Sequence, residues 1–296
     1  MRFENVLTGF IPEARGRDGL TLAVLLARQT GARLTVAAVK PPAWGPPGPA
    51  RADAGAWAAY LDEQAAATLD QARELTGELA GKEIGENAAY LAYTHKGSGR
   101  GLVELARKRS ADVVVIGSAP GGGKDRIALG STADQLLHAS PVPVLLAPRG
   151  YADEPPAALE RLTVAYRRGP GADAAVKRAA AIAAGLDLPL RLVTLVLRSG
   201  RPARAEEEML ARLRDQAAAD LKSAARGHRR RTQVEVEILE GRNVAQAMRA
   251  GTWLPGELVI CASSDSGPLR RVFLGDTSIK IVRAATRPVM ILTRQP

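Results

Sequence analysis

The residues best suited to chemistry form one segment, 117–134, that is rich in glycine and directly follows an apolar run of valine and isoleucine. Glycines allow a backbone to approach a ligand closely. A helix that opens at Gly130, Ser131 and Thr132 would offer free N–H groups and hydroxyls to a phosphate. Lys124 adds positive charge to the same segment. The segment therefore predicts a site for a phosphate-bearing ligand.

A second phosphate-binding motif is superficially present at 121–124, where three glycines precede a lysine. The phosphate loop of P-loop proteins requires a glycine where Ser118 stands, and a serine or threonine where Asp125 stands. Both requirements fail, so the sequence does not predict a P-loop.

The side chains needed for catalysis or metal binding show no recognisable spacing. The three histidines, His95, His138 and His228, lie far apart in the sequence, and none belongs to a known serine or cysteine motif. No cysteine, histidine or carboxylate cluster has the spacing of metal ligands. The single cysteine, Cys261, lies in an apolar run and is predicted to be a buried, unreactive side chain. We therefore expect no catalytic residues and no metal site.

An internal repeat organises the 296 residues. Residues 111–117 match residues 256–262, and each copy then leads to a Leu-Gly pair, a short helical pattern and a final strand next to a proline. Upstream, residues 33–39 parallel residues 191–197. We therefore predict a first domain at 1–148, a proline-containing linker at 149–160 and a second domain at 161–296.

Strands and helices alternate in each copy, and the strands are continuous Val, Ile and Leu runs. Such runs are typical of parallel strands that are buried on both faces. The predicted fold is α/β, with two tandem doubly wound parallel sheets of five strands each. The predicted strands are 5–10, 33–39, 89–94, 112–117 and 142–147 in the first copy, and 162–166, 191–197, 234–239, 258–262 and 289–293 in the second.

The net charge of +10 raises the question of a nucleic-acid partner. The basic residues are scattered, however, and their one dense cluster at 226–231 has no aromatic side chains on which bases could stack. Nucleic acid is therefore not favoured as a partner. No apolar stretch is long enough to span a membrane, and the N-terminus does not resemble a signal peptide. The sequence predicts a cytoplasmic protein without membrane insertion.

The glycine-rich segment resembles the universal stress protein family, whose nucleotide-binding members carry Gly, two residues, Gly, nine residues, then Gly with Ser or Thr. Gly117, Gly130 and Ser131 fall in register, whereas Pro120 replaces the second glycine and is followed at once by further glycines. The resemblance implies a Rossmann-like fold of the adenine nucleotide alpha hydrolase type and a site for ATP with magnesium. The site residues that we predict are Val39, Gly117, Gly121, Gly122, Lys124, Gly130, Ser131 and Thr132, with Val39 against the base.

The same resemblance points to losses in both copies. Nucleotide-binding members end the first strand with an aspartate, and the alignment places Ile11 and Arg167 at that position. In the second copy, Ala262 and Asp265 stand at the two glycine positions and Asp276 replaces the hydroxyl residue. A carboxylate there would cap the helix itself and repel phosphate. We therefore predict a degenerate second site.

Three hypotheses for function follow from these features. The first is a non-enzymatic stress-response protein that binds ATP in its first domain. The second is a nucleotide-independent scaffold, and the third is a slow ATPase that uses the same cleft. The closing strands of the two copies are expected to pair within the chain as a pseudo-dimer, and a homodimer of two chains is a further assembly open to it.

Overall fold

The computed structural model describes residues 2–43, 51–80, 84, 87–169, 171–198, 204–229, 232–262 and 276–293. The strands are β1 (Asn5–Gly9), β2 (Arg33–Lys40), β3 (Ala89–Thr94), β4 (Val113–Gly117), β5 (Val144–Ala147), β6 (Arg161–Ala165), β7 (Leu190–Leu197), β8 (Val234–Gly241), β9 (Glu257–Ala262) and β10 (Val289–Leu292). The helices are α1 (Ala14–Thr30), α2 (Arg51–Ala80), α3 (Ser98–Lys108), α4 (Ser131–Ala139), α5 (Ala172–Leu186), α6 (Arg204–Arg226), α7 (Val244–Ala250) and α8 (Asp276–Ala284).

The strands form one sheet in the order β3-β2-β1-β4-β5-β10-β9-β6-β7-β8. Within each half all neighbouring strands are parallel, and the two halves meet where β5 pairs with β10 in antiparallel fashion, with Leu145 opposite Met290. This is the predicted pair of doubly wound five-stranded sheets, joined as an internal pseudo-dimer. Apolar clusters cover both faces of the sheet, and each cluster draws residues from both halves.

The helices after the first strand of each half end in the same way. Gly31 directly follows α1 and Asp187 directly follows α5. Both of these C-cap residues adopt the left-handed conformation, with φ of 67° and 54°. Glycine tolerates this conformation freely, and aspartate tolerates it better than most residues. The repeat is therefore preserved in backbone geometry where the residue type has changed.

Glycine and proline determine where α3 and β5 begin, and β5 starts two residues later than the predicted strand 142–147. The glycine-rich stretch 97–101 supplies the first turn of α3. A Cβ on Gly99 would lie 2.5 Å from the carbonyl oxygen of Thr132, so glycine here permits close packing between helices. β5 begins after Pro143, because proline has no N–H to donate to the sheet.

The predicted linker packs on α1. Tyr151 and Leu159 are buried. The buried carboxylate of Asp18 accepts hydrogen bonds from the N–H groups of Gly150 and Ala152, each at 2.9 Å. Burial raises the pKa of Asp18, and these two hydrogen bonds oppose the rise. The connection between the copies is thus held against the first helix.

A buried charge cluster lies at the amino edge of the second half. Glu257 has no exposed surface, and its carboxylate accepts hydrogen bonds from Arg161 at 2.9 Å and Arg191 at 2.7 Å. The hydroxyl of Thr163 also donates to Glu257, and the guanidinium of Arg191 stacks 4.6 Å from the ring centre of Trp253. Several charged groups are therefore satisfied inside the second domain.

The first half has a simpler arrangement at the matching place. Val6 pairs with Val113 as Leu162 pairs with Leu258, so Asp112 corresponds to Glu257. Asp112 accepts hydrogen bonds from the backbone N–H groups of Glu4 and Asn5, at 2.7 and 2.9 Å. The two copies thus share a carboxylate position but not its surroundings.

Candidate functional site

A cleft opens at the carboxyl edge of the first half, between β1 and β4. β1 pairs with β2 on one side and β4 on the other, so the connections diverge there. This is the position at which doubly wound sheets bind ligands. The cleft has a volume of about 140 Å³ and is open to solvent at its mouth. It is lined by Gly9, Phe10, Ile11, Arg15, Gly16, Ala37, Val39, Ser98, Leu102, Ile116, Gly117, Ala119, Gly130, Ser131, Thr132 and Ala133.

Three helices begin at this cleft. α1, α3 and α4 start after Glu13, Gly97 and Gly130, and none of these three residues caps its helix with a side-chain hydrogen bond. In α3 the side chain of Gln135 accepts from the N–H of Arg100 at 3.1 Å. The N–H groups of a first helical turn have no partner within the helix, and the helix dipole makes this end positive. The hydroxyls of Ser98 on α3 and Thr132 on α4 lie 2.7 Å apart, which ties two of these ends together. The cleft therefore suits an anionic group.

The glycines of the motif allow the walls of the cleft to pack closely. A Cβ on Gly117 would lie 2.0 Å from the carbonyl oxygen of Arg15, and a Cβ on Gly130 would lie 2.8 Å from Cβ of Ala119. Real Cβ atoms do not approach other atoms so closely, so an alanine would push these segments apart. Glycine is therefore required at position 117 because this residue packs against the start of α1. The sequence analysis had instead attributed this glycine to the close approach of a ligand.

Five of the eight predicted site residues come together here: Val39, Gly117, Gly130, Ser131 and Thr132 line the cleft. Ser131 is exposed and Val39 and Thr132 are partly buried, so all three are open to contact. Their role in binding stays a prediction.

The other three predicted residues, Gly121, Gly122 and Lys124, are not among the residues that line the cleft. The N–H of Ala119 donates to the carbonyl of Ala128 at 3.0 Å, so the loop between them folds back on itself and its glycines form the tip. Lys124 instead lines a cavity of about 180 Å³ beside the linker. A phosphate role for these three residues stays an untested prediction that this placement does not support.

The same loop also reaches the second half of the chain. The guanidinium of Arg126 donates to the carbonyl oxygen of Ala284, at the end of α8. A cation there faces the negative end of the helix dipole. Arg126 therefore forms a contact between the two domains.

Arg15 is the main lining residue that the sequence analysis missed. It is the one charged residue among the described residues that line the cleft. Its Nε lies 3.0 Å from a carboxylate oxygen of Glu13, and both side chains are about half exposed. A basic residue shortly after the first strand was the available signal, since the first helix of such a fold begins at the ligand edge.

His95 directly follows β3 and is not among the residues that line the cleft. Its Nδ1 lies 2.9 Å from the N–H of Gly97, and its Nε2 lies 3.4 Å from a carboxylate oxygen of Glu104. Glu104 also accepts from the hydroxyl of Tyr93 at 2.5 Å, and this hydrogen bond lowers the pKa of Glu104. Both ring nitrogens of His95 therefore have partners, one in the residues that precede α3 and one on α3 itself.

The second half carries other residues at the corresponding positions. Arg167 is exposed after β6, and Ala262 ends β9. Asp276 opens α8 and pairs with Lys280 at 2.5 Å one turn later. Asp265 lies outside the described residues. An acidic side chain thus stands at a helix start where the first half has Ser131.

The comparisons with known proteins decide the family. The model of the universal stress protein family matches residues 3–148 and again residues 159–293. The chain belongs to the universal stress protein family. It is 33% identical to universal stress protein Rv2319c of Mycobacterium tuberculosis and to universal stress protein Mb2346c of Mycobacterium bovis, over 97% of this chain and 99% of each relative. Two tandem universal stress domains therefore make up this chain.

Solved structures agree on the fold. A universal stress protein from Archaeoglobus fulgidus superposes with a TM-score of 0.61 at 18% identity, over 99% of this chain and 98% of that one. The functionally unknown protein PA1789 of Pseudomonas aeruginosa superposes with a TM-score of 0.57 at 14% identity, over 99% and 93% of the two chains. Within the described residues, no helix is long and apolar enough to cross a membrane, and no group of three or more His, Cys, Asp and Glu residues is placed to hold a metal ion.

Proposed function

We propose that this protein is a non-enzymatic, cytoplasmic stress-response protein that binds ATP in its first domain. The observation that carries the proposal is the cleft of the first half, in which the starts of α1, α3 and α4 and the hydroxyls of Ser131 and Thr132 face one space. Such an arrangement is a common way to bind phosphate groups. The second domain then serves mainly to complete the internal pseudo-dimer.

The lining residues divide into a polar end and an apolar end. Ser131 can donate a hydroxyl hydrogen bond to a phosphate oxygen. So can one of the hydroxyls of Ser98 and Thr132, because only one of the two donates in the 2.7 Å hydrogen bond between them. Val39 and Leu102 belong to the apolar part of the lining, which suits the face of a base. Binding sites for small molecules usually occupy about 300–1,000 Å³, so a nucleotide would extend from the cleft of about 140 Å³ through its open mouth. Bound magnesium would supply further charge neutralisation at the phosphates.

Binding without turnover is supported by the chemistry of the lining. Efficient hydrolysis needs a group that takes a proton from water, and histidine or a carboxylate usually fills that role. Neither type occurs among the described lining residues. A ligand held in this way would change the stability and surface of the protein rather than be consumed.

The proposal is tested by isothermal titration calorimetry and thermal unfolding of the full chain with ATP and magnesium. A ligand that binds only the folded state at a hundred times its Kd adds about 2.7 kcal/mol to the free energy of unfolding. We expect a rise in Tm that Ser131→Asp abolishes, because the new carboxylate occupies the phosphate end. Ser223→Asp adds the same charge to the exposed face of α6 and should leave binding unchanged.

Each hypothesis predicts its own result in this experiment. Binding without phosphate release supports the proposed function. Phosphate release that Ser131→Ala reduces would favour the slow ATPase. The absence of any heat of binding or change in Tm at millimolar nucleotide would reject the proposal and leave the nucleotide-independent scaffold.

A further inference from the structure

We propose that the cleft of the first domain selects its ligand by the polyphosphate, through Arg15, and does not distinguish ribose from deoxyribose. This inference rests on the proposed function and specifies which part of the nucleotide is recognised. It assigns specificity to two residues of the lining, Arg15 and Ile11, that differ in charge and both follow β1.

The first argument concerns hydrogen-bond acceptors. The ribose hydroxyls donate hydrogen bonds, and a carboxylate is the strongest acceptor that a protein can offer them. Among the described lining residues there is no aspartate or glutamate. Ile11 presents only hydrocarbon at the mouth, and the hydroxyls of Ser98 and Thr132 already bond to each other. The sugar therefore finds no charged partner among these side chains.

The second argument concerns charge. Arg15 is the sole charged residue among the described residues that line the cleft. Its Nε lies 3.0 Å from a carboxylate oxygen of Glu13. The two side chains are 40% and 56% exposed overall, and an ion pair that water reaches contributes little. The Nε atom of Arg15 is itself buried, and within the described residues it has no hydrogen-bond partner. A guanidinium can bind phosphate through two parallel hydrogen bonds. A polyphosphate can therefore replace Glu13 as the partner of Arg15 at small cost.

These two arguments predict an order of affinities. Affinity should rise with the number of phosphates, from adenosine through AMP and ADP to ATP. ATP and dATP should bind equally within about twofold, and inorganic tripolyphosphate should bind without any nucleoside. Arg15→Ala removes a charged hydrogen-bond donor, so it should weaken the binding of ATP and of tripolyphosphate by about tenfold or more.

Matched variants separate recognition from folding. Arg17→Ala removes the same charge from an exposed position of α1 that does not line the cleft, and it should change affinity by less than about twofold. Glu13→Gln frees Arg15 from its ion pair and should tighten tripolyphosphate binding. A misfolded protein cannot bind more tightly, so this gain cannot arise from a folding defect. Ile11→Asp should weaken tripolyphosphate by like-charge repulsion.

The experiment is calorimetry of the full chain with adenosine, ATP, dATP and tripolyphosphate. Equal binding of adenosine and ATP, or a preference of ATP over dATP above about tenfold, would overturn this inference and leave ATP binding intact. Equal effects of Arg15→Ala and Arg17→Ala would also overturn it. Binding of tripolyphosphate but not ATP would reject the proposed function and support recognition of the anion. Binding of neither would reject both.

Discussion

Replacing Glu257 by leucine should destabilise the protein far more than the matching change at Asp112. Glu257 is fully buried and neutralises Arg161 and Arg191, so its loss leaves two guanidinium groups with less compensation in the interior. Breaking a buried ion pair from one side costs about 3–5 kcal/mol. Among the described residues, Asp112 accepts two backbone hydrogen bonds at a partly exposed site, so Asp112→Leu should cost about 1–2 kcal/mol.

The assay is urea unfolding of both variants, followed by far-UV circular dichroism, with thermal unfolding as a second measurement. At about 2–4 °C per kcal/mol for a domain of this size, Glu257→Leu should lower Tm by roughly ten degrees. The double variant Glu257→Leu with Arg191→Met should recover part of this loss, since an apolar pair can replace a buried ion pair at small cost. A smaller loss for Glu257→Leu than for Asp112→Leu, or fully additive effects in the double variant, would refute the reasoning.

Three further predictions follow from single contacts. Gly117→Ala should lower the free energy of unfolding by about 1–3 kcal/mol, because its Cβ would meet the carbonyl oxygen of Arg15, whereas Gly121→Ala has open space and should have little effect in chemical unfolding. The folded-state pKa of Asp18 is raised above 3.8, so the folded state holds this proton more tightly and the stability contribution of Asp18 should fall as pH rises above about 4. This appears as a declining difference between the wild type and Asp18→Asn in urea midpoints. Burial raises the pKa of Cys261 to about 12, so thiol reagents should modify it only after unfolding.

Each of these has a clear opposing result. Equal destabilisation by the two glycine variants would show that the contact at Gly117 is relieved by small movements. A pH-independent difference between the wild type and Asp18→Asn would show that the carboxyl has the same pKa in the folded and unfolded states. Rapid labelling of Cys261 in the native protein, measured by absorbance, would show that β9 opens locally.

The strands and the repeat could be predicted from the sequence because continuous apolar runs mark buried parallel strands. All ten predicted strands occur, and their ends lie within two residues of the predicted ends. The antiparallel junction of β5 and β10 was also predictable, since both closing strands are short, apolar and in need of a partner. Local pattern alone therefore specified most of the architecture.

The position of the loop between β4 and α4 could not be predicted in the same way. Glycines and Lys124 lie close in sequence to Ser131, but the hydrogen bond between Ala119 and Ala128 turns the tip away from the cleft. Arg15 was missed because its relation to the site depends on how α1 meets β4. Pairs such as Arg191 and Glu257 are 66 residues apart in sequence, and no periodicity indicates them.

The junction of β5 with β10 makes this chain a covalently tethered dimer. Two separate chains that pair by such strands would dissociate on dilution, whereas a tether keeps the effective concentration of the partner constant. Assembly is then independent of how much protein the cell makes. The tether also removes the requirement that both halves be identical, so the second half can carry Ala262 and Asp276 at the glycine and hydroxyl positions and still pair through β10. If the first cleft binds ATP and the second does not, each pair of domains carries one ligand, which gives it a fixed polarity that a symmetric dimer lacks.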